Sequence, residues 1–223
     1  MIFGLLGRGY KHRLLNFRDE LWDRRLGVRT FGHIESHIEG GRIYGPASYA
    51  SIRTTLDMCR PNEDDVFVDI GCGFGRPLFY LVNRFQVRRA IGVEANADFA
   101  QMARVNIANY RGKRANLLQI EEVLAQQFNF DQATYIYLYN PFGPEIMDDV
   151  LAVIGQSLRN HPRRLRIVYL NPIELPCFER CEWLQEVDRL YPDQVPSLAI
   201  GDRAAFPKGW PAVAVFEAGR SIS

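Results

Sequence analysis

The sequence predicts an α/β fold, a mostly parallel sheet with helices on both faces, entered through an N-terminal helical extension. Three observations predict it. Val66-Phe67-Val68-Asp69-Ile70 is a short apolar run carrying one acid, and it is followed by glycines at alternate positions, Gly71, Gly73 and Gly75, that turn into the apolar stretch Pro77 to Phe85. From there to about residue 171, strand-like and helix-like runs alternate, which requires parallel strands joined by crossover helices. The strand-like runs end on polar groups, Glu94, Asn140 and Asn171, at the carboxyl ends where such a sheet binds its ligand.

Composition sets the outer limits. With 223 residues, 47% hydrophobic and 24% charged, the chain has enough material for a well-filled core and matches ordinary globular usage. Lys+Arg 27 against Asp+Glu 26 leaves a net charge of +1, so no whole-protein field attracts a polyanion, and nucleic acid is disfavoured as a partner. The cysteines, Cys59, Cys72, Cys177 and Cys181, show no Cys-x-x-Cys pair, which speaks against a disulfide framework or a zinc site and for a reducing, cytoplasmic setting. The apolar opening Met1 to Leu6 breaks at Gly7-Arg8, too short for a signal core or a membrane span.

In chain order, Leu14, Leu15, Phe17, Leu21, Trp22 and Leu26 recur at helical spacing between Tyr10 and Leu26, with Arg13, Arg18, Asp19, Arg24 and Arg25 between them. Residues 1–30 hold seven Lys/Arg and three acids, so this basic helix either packs on the core or covers the site as a lid, with its charges solvated, or binds a partner such as an acidic substrate or a membrane surface. His33 and His37 are four apart, yet only Glu39 stands near as an acid and no third ligand follows, so no metal is expected. Ile43 to Ser48 is a loop into a helix from Tyr49 to Cys59, with Ser48 as N-cap, and Pro61 to Asp65 turns into the first strand. Residues 1–60 thus form the helical extension or lid, and residues 61–223 the ligand-binding domain.

The next strand, Ala90 to Val93, ends in Glu94. A helix from Asn96 to Tyr110 packs through Ala97, Ala100, Ala103 and Ile107, and a short strand, Leu117 to Ile120, ends at Glu121-Glu122. Thr134 to Asn140 is a β-branched and aromatic strand, followed by a helix from Glu145 to Leu158 and a strand from Arg166 to Asn171. The segments 183–191 and 212–217 supply the last two of seven strands, and Pro192, Pro196, Pro207 and Pro211 make the stretch between them a long loop.

Two groups of residues carry chemistry. The loop reads Asp-x-Gly-x-Gly-x-Gly without lysine, unlike the phosphate-gripping Gly-x-Gly-x-x-Gly or Gly-x-x-x-x-Gly-Lys-[Ser/Thr], so its backbone N–H groups form a floor for a different ligand. Arg76, directly after it, pairs either with a nearby acid or with a carboxylate of the ligand. Asn140-Pro141-Phe142 offers a side-chain carbonyl and a proline-fixed backbone carbonyl, neutral acceptors suited to an amine or amide nitrogen.

Asp69 to Gly75 resembles motif I of the class I S-adenosylmethionine-dependent methyltransferases, whose fold is a Rossmann-like seven-stranded sheet. The resemblance implies S-adenosyl-L-methionine as cofactor. Its methionine part would lie over Gly71, Cys72, Gly73 and Gly75, with its amino group oriented by Asp69. The ribose would sit on Glu94 beside Ala95, and the adenine near Glu121 or Glu122. Tyr44, in a Tyr-x-x-x-Ser segment ending at Ser48, resembles a wall of the cofactor pocket in the non-SET histone-lysine methyltransferases; the mitochondrial ATP-synthase c-subunit lysine enzymes carry a similar segment. Phe142-Gly143-Pro144-Glu145 matches the run that opens the next helix in the histone-lysine family. Asn140-Pro141-Phe142 also resembles the [Asp/Asn]-Pro-Pro-[Tyr/Phe] of nitrogen-methylating enzymes, without the second proline. Asp23 to Thr30 is similar to the opening of uncharacterised bacterial methyltransferases.

These likenesses imply methyl transfer to a nitrogen, protein lysine ahead of a small-molecule amine. Asn140 would contact the cofactor and position the acceptor, and Phe142 would shield the reaction. Two alternatives stand beside this: a cofactor-binding scaffold without turnover, and an NAD or nucleotide-sugar enzyme that uses Glu94 on a ribose, against which the loop spacing speaks.

Overall fold

The computed structural model describes residues 16–32, 45–195 and 209–218. Tyr44, His33, His37, the start of the N-terminal helix and most of the 192–211 loop lie outside them. The elements are α1 (residues 16–26), α2 (Tyr49–Met58), β1 (Val66–Ile70), α3 (Arg76–Arg84), β2 (Arg89–Glu94), α4 (Ala97–Asn109), β3 (Leu118–Glu122), β4 (Tyr135–Tyr139), α5 (Pro144–Asn160), β5 (Leu165–Leu170), α6 (Leu175–Glu179), β6 (Gln185–Leu190) and β7 (Val213–Ala218).

The seven strands form one sheet in the order β3-β2-β1-β4-β5-β7-β6. The first five in that order are mutually parallel, and β7 inserts antiparallel between β5 and β6. Chain order reverses direction at β1, because the connection after β1 leads to β2 on one side and β4 lies on the other. A crevice opens there, at the carboxyl ends of both strands. All five residues of β1 are buried, as its unbroken apolar pattern requires of a strand covered on both faces.

Side-chain alternation sorts the core into two layers. Phe67, Tyr135, Tyr137, Val168 and Val215 point to the face covered by α1, α2 and α3. Val68, Ile136, Leu138 and Ile167 point to the face covered by α5 and α6. Leu26, Val28, Ala47, Tyr49, Ile52 and Leu56 belong to the same apolar cluster as Phe67 and Leu78, so the helices before residue 61 pack directly on the sheet. Trp22 stacks on Tyr49, with centroids 5.6 Å apart.

In α4 the expected packing face shifts. Asn96 is the N-cap, its Oδ1 accepting the N–H groups of Asp98 and Phe99 at 3.0 and 3.2 Å. Ala97 is then the first helical residue and is exposed, while Phe99, Ala100, Ala103 and Asn106 are buried and Ile107 only partly so. The large Phe99 takes the core-facing position in the first turn, and a rule of small residues toward the sheet does not foresee it.

The tyrosines of β4 hold a destabilising feature. Tyr135 and Tyr137 are buried with no hydrogen-bond partner for either hydroxyl, and burial pushes both phenols well above their ordinary pKa. A buried hydroxyl without a partner carries its whole desolvation cost. Tyr137→Phe is therefore expected to leave stability unchanged or raise it by up to about 1 kcal/mol in urea unfolding. A loss larger than about 1 kcal/mol would show that the hydroxyl is satisfied in solution.

Candidate functional site

A cavity of about 380 Å³ opens at the carboxyl ends of β1, β2 and β4. Its floor is Asp69, Gly71 to Gly73, and Arg76 and Pro77 at the start of α3; one wall is Val93 to Ala95 with Phe99, and Val123 to Gln126 follow β3. Tyr139 to Phe142 and Ile146 form the opposite wall, and Gly45 to Ala47 close the side toward α2.

The glycine loop holds its shape through backbone groups. Gly71 and Cys72 donate to the Val93 carbonyl at 2.9 and 3.1 Å, and Gly75 donates to that of Cys72 at 2.9 Å. Gly71 has φ +72°, and a Cβ there would lie 2.5 Å from Cβ of Pro141. Only glycine permits both the left-handed backbone and this approach. The consequence reaches beyond the loop: the first-strand turn and the Asn140-Pro141 turn touch at the base of the cavity. Gly75, at φ +88°, caps α3 beneath the floor and is not part of the lining.

Glu94 ties the loop to β2. Its carboxylate accepts the N–H of Gly73 at 2.8 Å and of Asn96 at 2.9 Å, bonds that partly offset the burial that raises its pKa. A carboxylate oxygen accepts more than one hydrogen bond, so Glu94, a lining residue, keeps further acceptor capacity. Asp69 has less support. It is buried, its Oδ2 has no hydrogen-bond partner, and burial, with a smaller push from Glu94, raises its carboxyl well above the usual range. An orphaned carboxylate oxygen on a cavity floor suits a cationic group of a ligand. The Cys72 thiol is likewise pushed up by burial and stays neutral.

Arg76 resolves to an ion pair at the helix start. Its Nη1 donates to Asp19 Oδ2 at 2.9 Å and to the Ala47 carbonyl at 3.1 Å, and its Nε donates to Thr30 Oγ1 at 2.6 Å. The guanidinium lies against the Tyr49 ring, 5.0 Å from its centroid. Arg76 thereby fastens α1 and the segments around Thr30 and Ala47 to the floor of the cavity.

On the opposite wall Asn140 adopts φ +46°, a left-handed conformation that asparagine accepts better than most residues. The Tyr169 hydroxyl from β5 donates to Asn140 Oδ1 at 3.4 Å and accepts the Glu174 N–H at 3.3 Å. Phe142 is buried and lines the cavity.

Asp69, Gly71, Cys72, Gly73, Glu94, Ala95, Asn140 and Phe142 therefore come together as lining residues. Glu122 does not. It pairs with Arg104 at 2.7 Å on the surface, and Glu121 takes the side chain of Gln119. The reason is the position of β3 at the sheet edge, where only Ile120 faces inward. The wall beyond β3 is instead made by Val123 to Gln126. Sequence reasoning also missed Phe99, Tyr139, Ile146 and Tyr169. A signal existed for Tyr169: β4 and β5 end alike, in Leu138-Tyr139-Asn140-Pro141 and Tyr169-Leu170-Asn171-Pro172, and Asn171 repeats the left-handed backbone at φ +54°. Among the described residues no group of three His, Cys, Asp or Glu could hold a metal ion, and no helix is long and apolar enough to cross a membrane.

Comparison with known proteins adds relatives to this geometry. Residues 37–136 match the family model of the histone methylation protein DOT1. A protein-lysine N-methyltransferase of Saccharolobus islandicus is 34% identical over 64 residues, 29% of this chain and 40% of that protein. The 23S rRNA (uracil(1939)-C(5))-methyltransferase RlmD of Stenotrophomonas maltophilia is 28% identical over 159 residues, 70% of this chain and 32% of that protein. The chain thus spans less than half the length of these curated relatives. An RNA methyltransferase from Salinibacter ruber, solved with S-adenosyl-L-homocysteine, superposes with a TM-score of 0.56 at 18% identity, over 80% of this chain and 97% of that one. By its strand order the chain has the fold of that solved methyltransferase, and residues 37–136 carry the likeness to DOT1.

Proposed function

We propose that this protein transfers a methyl group from S-adenosyl-L-methionine to a nitrogen, the ε-amine of a protein lysine. The observation that carries this reading is the contact between Gly71 and Pro141, which sets a neutral acceptor group, Asn140, directly beside the glycine loop. The lining residues fit the cofactor. The orphaned Oδ2 of Asp69 suits its ammonium, the spare acceptor capacity of Glu94 suits paired ribose hydroxyls, and Ala95, Phe99, Val123 and Leu124 offer an apolar slot for a flat base.

When bound, the cofactor supplies an electrophilic methyl group. The chain's own part is positioning and exclusion of water. Asn140 Oδ1 keeps one acceptor site beside the Tyr169 bond and takes an N–H of the incoming amine, which orients the nitrogen lone pair. Asn140 is a neutral amide, so the amine must arrive uncharged, having lost its extra proton to solvent. Tyr139, Phe142 and Ile146 shield that side of the cavity.

Lysine is favoured by the DOT1 match and the lysine-methyltransferase relative. RNA, disfavoured by charge balance, returns as the second acceptor class because the match to the rRNA enzyme runs over more of the chain. The deciding experiment incubates the protein with methyl-labelled cofactor and a bacterial lysate, then separates protein, RNA and small molecules. Label in protein, recovered as methyl-lysine, is expected. Label in RNA alone would replace lysine with a base, and cofactor binding with no label in any fraction would leave a scaffold.

Cofactor affinity should depend on pH with a definite sign. Asp69 and Glu94 hold their protons to higher pH than free carboxyls, so affinity is expected to rise with pH across the acidic range as both become anionic, with protons released on binding. The free protein should show the opposite slope from these groups. Their contribution to stability is fully present below the ordinary carboxylate pKa and is lost as pH rises through their raised values. Titration of S-adenosylhomocysteine between about pH 5 and 8, beside melting of the free protein, measures both slopes. An affinity that falls with pH would remove Asp69 and Glu94 from cofactor binding.

A further inference from the structure

Helix α1 has apolar residues on two faces, and the core uses one of them. Asp19, Asp23 and Leu26 are buried and Trp22 packs partly buried against the core, so these four mark the inner face. Phe17 and Leu21, one turn apart, are 55% and 46% exposed. Arg18, Arg24 and Arg25 are exposed beside them, and at about 3.6 residues per turn all five fall within about 120° of the helix circumference. A helix that only covers a core carries polar residues on its outer face, and an outer apolar stripe marks a place of contact. In the sequence the stripe continues upstream at the same spacing, through Leu14 and Tyr10, with Lys11 and Arg13 next to it.

Folding also sorts the charges of this segment. Asp19 is turned inward, where it accepts Arg76 Nη1 at 2.9 Å and the Tyr49 N–H at 3.2 Å. Asp23 is turned inward to the Thr30 N–H and the Tyr49 hydroxyl, both at 2.7 Å. Glu20 is the acid of α1 left toward solvent, and Arg24 stands 3.9 Å from it. Arg18, Arg24, Arg25 and Arg29 are all exposed. A segment of mixed charge in the sequence thus shows solvent four arginines against one glutamate, on a chain whose net charge is only +1.

We propose that the outer face of α1 docks in the plane of an anionic membrane surface, with Phe17 and Leu21 entering the boundary between headgroups and acyl chains. The arginines call for an anionic partner, and each gains from a negatively charged leaflet. The apolar pair stands on a convex ridge, which buries its side chains only in a groove or in a medium that yields. A lipid interface yields, and arginine lays its stem along the acyl boundary while its guanidinium stays among the headgroups. A nucleic acid would meet the arginines through its phosphates and give Leu21 no apolar partner. The docking is independent of the chemistry in the cavity.

Co-sedimentation of the full chain with vesicles tests the assignment. Vesicles of phosphatidylcholine with about 30% phosphatidylglycerol are expected to bind at least about tenfold more tightly than phosphatidylcholine alone, with the difference lost at about 0.5 M salt. Phe17→Ser combined with Leu21→Ser should weaken binding to the anionic vesicles by about tenfold or more, at an unchanged melting temperature because both side chains are exposed. Should that variant not fold, vesicles carrying a photoactivatable acyl chain are cross-linked to the wild type, and label is expected in the peptide that holds Phe17 and Leu21. No binding to anionic vesicles, undiminished binding by the double variant, or label only in other segments would overturn the proposal. Binding of a single-stranded RNA in place of vesicles would give the face to nucleic acid, and a dimer dissolved by the double substitution would give it to a second copy; either result overturns the membrane assignment.

Discussion

Asn140→Ala is expected to lower methyl transfer by about a hundredfold or more, with S-adenosylhomocysteine binding held within about threefold of wild type. The split follows from where the residue stands. The cavity floor and the adjoining wall are built by Asp69, the glycine loop and Glu94, and the hydrogen bonds that hold the loop to β2 do not involve the Asn140 side chain. What alanine removes is Oδ1, which accepts the Tyr169 hydroxyl and is the group proposed above to take the amine N–H. Loss of one preorganised polar contact to a reacting group costs two to three powers of ten in rate in comparable sites. Alanine also meets φ +46° less well than asparagine, at about 1 kcal/mol, so melting is recorded alongside to separate rate from stability. Unchanged transfer in this variant would remove Asn140 from the reaction and return Asn140-Pro141 to a strand-ending turn.

Gly71→Val should act on the other half of the site. Its side chain would start 2.5 Å from Pro141 Cβ, in a backbone conformation at φ +72° that a β-branched residue strongly disfavours. Either the loop moves away from the cavity floor or the Asn140-Pro141 turn is pushed aside, and both changes deform the surface under the ligand. S-adenosylhomocysteine affinity is expected to fall more than about a hundredfold, with stability lowered by about 1–3 kcal/mol. Calorimetric titration and urea unfolding read the two effects separately. A Gly71→Val protein that binds with wild-type affinity would mean that the close contact of the two turns does not shape the floor.

Local pattern carried much of the fold. The strand–glycine–helix unit around β1, the acid closing β2, the aromatic β4 and its Asn-Pro stop were all legible, because each depends on short-range chemistry: apolar runs, left-handed turn positions, and a proline that ends pairing. The same holds for the cavity-lining residues Asp69, Gly71 to Gly73, Glu94 and Asn140, which sit within a few positions of a strand end. In a parallel sheet, strand ends of adjacent strands must meet.

Other features were decided by tertiary structure. The Glu122 side chain went to Arg104 because β3 fell at the sheet edge, and a strand's place in the sheet is a property of the topology rather than of its own residues. Ala97 faced solvent while Phe99, Ala100, Ala103 and Asn106 of α4 turned to the core. Tyr169 met Asn140 across the β4–β5 ladder, 29 residues apart in the chain. Arg76 found Asp19 and Thr30 at separations of 57 and 46 residues. Sequence alone identified the charged side chain behind the glycine loop and the acids of α1. Only the packing of α1 on the sheet decided that they are buried together. Pairing between distant charges depends on which surfaces the core brings together, and no local pattern encodes that.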